Sequence, residues 1–99
     1  MVENLDLQEV TRLGAAAYTP KQVAFLLGLK PSIVVDWMKD DDHEFTIAYF
    51  KGLYSSELAI REATFQLARN GSSPAQTLSM KIFDETKKNL QLNGFSEEE

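Results

Sequence analysis

Twice in this chain a hydroxyl-bearing residue is followed at once by proline, and each time a helical pattern starts there. Thr19-Pro20-Lys21-Gln22 joins an N-capping threonine, a proline at the first helical position and a glutamine placed to close a capping box. Ser73-Pro74-Ala75-Gln76 repeats the device, and Asp6 with Glu9 and Asp41 with Glu44 are weaker versions. No stretch sustains an alternation of apolar and polar residues, and no hairpin dipeptide separates two β-rich runs. Asn70-Gly71 lies between two helical patterns, where it serves as a helix C-cap. The chain is therefore expected to be all-α.

The signals divide it into about five helices, near 6–17, 20–28, 31–39, 43–70 and 74–91. The expected architecture is an N-terminal helix-turn-helix region over 1–42, a long antiparallel helical hairpin over 43–92 that serves oligomerisation, and an acidic tail over 93–99. The core is expected at Leu13, Val23, Leu27, Val34, Trp37, Tyr49, Ile60, Leu67, Leu78 and Ile82.

Pro20 to Met38 carries the sharpest local pattern. Ala24 sits where two helices must approach closely, Gly28 where the chain must turn left-handed, and Val34 and Trp37 three apart on the inward side of the next helix. A plain helical corner used only for packing gives the same spacing. If the motif binds DNA, its second helix enters the major groove. At about 100° per residue, Val34, Trp37 and Met38 share one side, leaving Ser32, Asp36 and Lys39 outward. Ser32 suits a base edge or phosphate, Lys39 a phosphate or guanine, and Asp36 the amino group of cytosine. Lys21 and Lys30, at the starts of the two helices, are placed for phosphate contacts.

Charge qualifies that picture. The 99 residues carry 10 basic and 15 acidic side chains, a net charge of −5, with four basic against eight acidic over residues 1–45. A nucleic-acid binder usually shows a basic stripe, so one copy should bind weakly and with strong salt sensitivity. Several copies in one assembly would compensate. There is no cysteine, which excludes disulfides, thiolate metal sites and cysteine nucleophiles. No apolar run approaches the roughly 20 residues of a membrane span. No basic-then-apolar leader opens the sequence, so an intracellular, cytoplasmic protein without membrane contact is expected.

The fourth helix is apolar on two sides. One stripe runs Phe45, Tyr49, Gly52, Ser56, Ile60, Ala63 and Leu67; a second holds Ile47, Phe50, Tyr54, Leu58 and Phe65. A helix apolar on two sides needs cover on both. The second stripe is expected to form the subunit interface, the alternative being that the N-terminal helices cover it inside one subunit. The fifth helix offers one apolar face, Ala75, Leu78, Ile82, Phe83 and Leu90.

Catalytic patterns are missing. His43, the only histidine, lies in Asp40-Asp41-Asp42-His43-Glu44, and consecutive residues cannot all converge on one ion, so no metal is expected. No phosphate-binding Gly-x-x-x-x-Gly-Lys loop occurs, and the Ser-Ser pairs at 55–56 and 72–73 have no base to activate them. Neither catalysis nor a cofactor is expected.

The run Ala48-Tyr49-Phe50-Lys51-Gly52, then Glu57-Leu58 and Arg61, then Leu67-Ala68-Arg69-Asn70-Gly71-Ser72-Ser73-Pro74-Ala75 resembles the small terminase subunits of tailed bacteriophages. In that family a helix-turn-helix precedes an Ala-Tyr … Gly helix start, and a long helix ends in Leu-Ala-x-x-Gly. The resemblance spans residues 19–88 and implies a non-catalytic DNA-recognition subunit of a genome-packaging motor in a bacterial host cell. It implies double-stranded DNA, a homo-oligomeric ring and a large terminase subunit as partners. Lys30, Ser32, Asp36 and Lys39 become recognition-helix positions, and residues 45–91 the ring-forming hairpin. A transcriptional regulator or transposase-type module, or a helical protein-interaction module, would share the same helices.

Overall fold

The computed structural model describes residues 5–92. Within them the chain is all-α, with α1 Leu7–Ala15, α2 Pro20–Leu27, α3 Pro31–Met38, α4 Glu44–Arg69 and α5 Ser73–Leu92. The acidic tail expected over 93–99, like residues 1–4, lies outside the described residues. Two compact units divide at Leu58–Ala59, inside α4, and not at residue 42. The reason is that the first half of α4 belongs to the core of the N-terminal helices.

In the first unit, α1 and the start of α4 cross at two glycines. A Cβ on Gly52 would overlap the Thr11 carbonyl oxygen, and one on Gly14 would lie 2.5 Å from that of Tyr49. The bare backbones therefore touch, and Thr11 Oγ1 donates to the Ala48 carbonyl at 3.1 Å. Val10, Leu13, Val23, Ala24, Val34, Phe45, Ala48 and Tyr49 form one buried cluster, with Leu27, Trp37, Met38 and Phe50 packed against it. The corner between α1 and α2 places Ala17 at φ 67°, and the Tyr49 hydroxyl donates to the Tyr18 carbonyl at 2.8 Å.

The second unit pairs the end of α4 with α5 as a helical hairpin. Phe65 stacks on Phe83 with ring centroids 5.2 Å apart, and Gln76 Nε2 donates to the Ala68 carbonyl at 3.0 Å. Its buried positions are Ala75 and Ser79. Three of the expected core residues are corrected here: Ile60, Leu67 and Leu78 are 65%, 56% and 48% exposed. With two helices in the unit, only one side of each is covered, and Ile60 and Leu67 lie on the other side of α4.

Three helix starts also differ from expectation. The Thr19–Gln22 capping box forms as expected, with both reciprocal bonds present. At α5 the capping hydroxyl is Ser72, which accepts from the Ala75 N–H at 3.3 Å, because the helix already includes Ser73; Gln76 turns back to Ala68 and closes no box. At α4 the His43 ring takes the place expected of Asp41: its Nδ1 accepts from the Phe45 N–H at 3.0 Å. Asp6 caps α1, while Glu9 turns to Arg12 at 2.6 Å and closes no box.

Candidate nucleic-acid interface

α2 ends at Gly28, whose φ of 72° costs a glycine nothing and reverses the chain toward α3. The Leu29 N–H bonds the Ala24 carbonyl at 2.8 Å, and Ala24, with no side chain beyond Cβ, is fully buried in the helix-turn-helix. α3 then opens on Lys30, which gives no side-chain cap, with Pro31 next. Val34 anchors it, fully buried. Trp37 backs it from below, stacked on His43 at 4.7 Å and tilted on Phe45 at 5.5 Å. The Trp37 carbonyl accepts from Thr46 Oγ1 at 2.7 Å. The end of α3 is thus fastened to the start of α4.

This anchoring leaves Ser32, Asp36 and Lys39 on the exposed side of α3. Of the five candidate DNA-contact residues, the structure joins two: Lys39 Nζ lies 3.7 Å from Asp36 Oδ1, with both side chains about three-quarters exposed. Such a pair is worth little and exchanges readily for a stronger partner. Ser32 shares the face one turn earlier. Lys30 is exposed at the start of α3, and Lys21 is exposed in the first turn of α2, on a different helix.

Ile33 and Val35, 44% and 40% exposed, were not among the sequence candidates. The 100° rule puts them on the shoulders of the Ser32–Asp36–Lys39 face, so the signal was available; their apolar character directs attention to a core instead. Beside α3 lies an open groove of about 520 Å³ lined by Gly28, Lys30, Ile33, Trp37, His43 and Glu44 among others. His43 spends Nδ1 on its helix cap. Among the described residues no group of three histidine, cysteine or acidic side chains converges on a metal position.

The stripe singled out for subunit contact divides in two. Ile47, Tyr54 and Leu58 are more than half exposed. Phe50 is half-buried, edge-on to Tyr49 at 5.3 Å and stacked with Tyr54 at 5.5 Å. Phe65 is half-buried inside the hairpin through its stack on Phe83. Burial, with a smaller push from Tyr54, raises the Tyr49 hydroxyl above the ordinary tyrosine range. No described helix is long and apolar enough to cross a membrane.

No protein-family model matches the chain, and neither a curated protein nor a solved structure does.

Proposed function

We propose that this chain is a non-catalytic DNA-binding subunit that works as a homo-oligomer, and that its place is in a phage genome-packaging motor, where it hands viral DNA to a terminase large subunit. The observation that carries the reading is the outward face of α3. It is a short exposed helix end-anchored by Val34 and Trp37, reached through a glycine turn from α2. That is the arrangement by which helix-turn-helix proteins present side chains to a major groove. Exposed Ile47, Tyr54 and Leu58 of the expected interface stripe, with Ile60, Leu67, Leu78 and Met80 on the hairpin, supply the apolar surface that an assembly would cover. The order of motifs resembling small terminase subunits adds the packaging role.

Three lysines, Lys21, Lys30 and Lys39, give each copy a salt slope of about −3 at most. Useful affinity then depends on several copies acting together. Native mass and duplex-DNA affinity between roughly 50 and 200 mM salt test the proposal. A multi-copy mass with salt-dependent binding is expected, and Lys30→Ala and Lys39→Ala should each lower the slope by about one unit. A dimer that binds only palindromic duplexes would instead indicate a transcriptional regulator. A monomer that binds no duplex at low salt ends the DNA reading.

A further inference from the structure

We propose that α3 reads DNA through thymine methyl groups and base amino groups, with Ile33 and Val35 packing on methyls and Asp36 accepting a hydrogen bond from cytosine N4 or adenine N6. This rests on the DNA-binding reading above and adds to it the chemistry of the preferred site.

The side chains along α3 narrow the choice. Pro31–Met38 contains no arginine, asparagine or glutamine, so the two-pronged reading of guanine by arginine, or of adenine by an amide, is absent. Lys39 lies just past the helix, 3.7 Å from Asp36 in an exposed pair that a phosphate can replace. An ionised aspartate only accepts hydrogen bonds. In the major groove the base donors are the amino groups of cytosine and adenine, while guanine shows two acceptors that would repel it. Repulsion by phosphate disfavours the sugar–phosphate rails for Asp36. Lys30 and Lys39, at the two ends of the helix, suit those rails and leave Asp36 over the bases.

Ile33 and Val35 supply the second half of the argument. They flank the polar face, exposed at 44% and 40%, although Val34 between them already closes the core. Two branched apolar side chains on the solvent shoulders of an eight-residue helix match the one apolar group in the major groove, the thymine methyl. Ser32 bonds either kind of base edge and adds no selectivity.

The full-length protein should be used to select duplexes from a random pool at roughly 50 mM salt. Each thymine of the selected site is then replaced in turn by deoxyuridine, which removes the methyl and keeps the base pair. The expected result is a loss of about fourfold at one or two positions, the value of burying one methyl-sized group. That loss should vanish in Ile33→Ala or Val35→Ala. Asp36→Asn should move the preference at its position from cytosine toward adenine, or strengthen it where adenine is already preferred, since an amide can bond adenine N6 and N7 together. Circular dichroism of each variant shows whether it keeps its helices, which exposed positions should allow.

Deoxyuridine that is silent at every position of a bound duplex overturns the inference and leaves the DNA reading standing. An Ile33→Ala variant that keeps the deoxyuridine effect but changes the oligomeric mass assigns the shoulder to a protein interface and also overturns it. Failure to enrich any duplex removes the DNA reading itself, and this inference with it.

Discussion

From Val10 to Tyr49 the chain closes a core of eight buried apolar residues drawn from four helices, whereas from Ala59 to Leu92 it buries Ala75 and Ser79 and exposes Ile60, Leu67, Leu78, Met80 and Phe83. Composition does not explain the difference, because both stretches are rich in large apolar side chains. The number of packing layers does. Three short helices and the start of α4 can surround a centre, while two helices side by side cover one face each. The first unit therefore has a core of its own, although Phe25, Leu26, Ile47, Tyr54 and Leu58 are exposed on it, while the second covers one side of each of its helices.

The strongest way to break that contrast is at the α1–α4 crossing. Gly52→Ala places a Cβ against the Thr11 carbonyl, and neither helix backbone can yield locally. A loss of about 3 kcal/mol or more is expected in the first unit. Denaturant unfolding followed at Trp37, which packs against this core, measures it. A change below about 0.5 kcal/mol would show that the crossing is not as close as described.

Next in size is the exposed face of the hairpin. Ile60→Glu with Leu67→Glu should turn the proposed assembly into monomers, since each large apolar side chain fully buried at an interface contributes about 1.5–3 kcal/mol before association costs. Unfolding of the first unit, read at Trp37, should be unchanged. This pair is a cleaner test than one including Phe65, whose loss would also remove the stack on Phe83 inside the hairpin. Sedimentation that still shows the wild-type oligomer would place the interface elsewhere, with Ile47, Tyr54 and Leu58 the next face to test.

The same contrast marks where sequence reading succeeds. Thr19-Pro20, Gly28 and Gly71 impose their conformations locally, so the ends of α2 and α4 are legible without any knowledge of partners. Val23, Ala24 and Val34 are legible because short helices in a tight corner have one side to bury. Ile60 and Leu67 are not, because α4 carries two apolar stripes and periodicity cannot say which one α5 will cover. Gly14 and Gly52 lie inside helical patterns, where a glycine shows no sign of the backbone it will meet. His43 as a cap was missed because aspartates beside it are the commoner choice, and its stack on Trp37 is a tertiary contact. At the candidate interface, the exposure of Ser32, Asp36 and Lys39 follows from helix geometry alone; the Asp36–Lys39 pairing is the i,i+3 contact that the same geometry permits.

A smaller effect probes how the first unit closes its corner. Tyr49→Phe removes the bond to the Tyr18 carbonyl and should cost about 0.5–1.5 kcal/mol. Burial raises the Tyr49 hydroxyl above its ordinary value of 10.0, so the folded state favours the protonated form. The corresponding stability is fully present below pH 10 and is lost as the pH rises through the raised folded-state value. Wild type should therefore lose stability in alkali more steeply than Tyr49→Phe. Parallel pH profiles for the two proteins would contradict this.

The smallest expected effect decides the most about the second unit. Ser79 Oγ is buried in the hairpin without a hydrogen-bond partner, an arrangement that native proteins seldom leave uncompensated. If the hairpin of one chain is the whole of this environment, Ser79→Ala removes a desolvated hydroxyl and improves helix propensity. The hairpin should then gain about 0.5–1 kcal/mol. If assembly brings a neighbouring chain's polar group to that hydroxyl, the same substitution should cost a similar amount, and only at concentrations where the oligomer forms. Measuring the thermal midpoint of Ser79→Ala against wild type at low and high micromolar concentration separates the cases by sign. A gain at both concentrations means that no second chain reaches the seam between α4 and α5. A reversal from gain to loss on assembly means that the seam itself is completed by the second chain. The contrast between the two units would then extend from surface to interior.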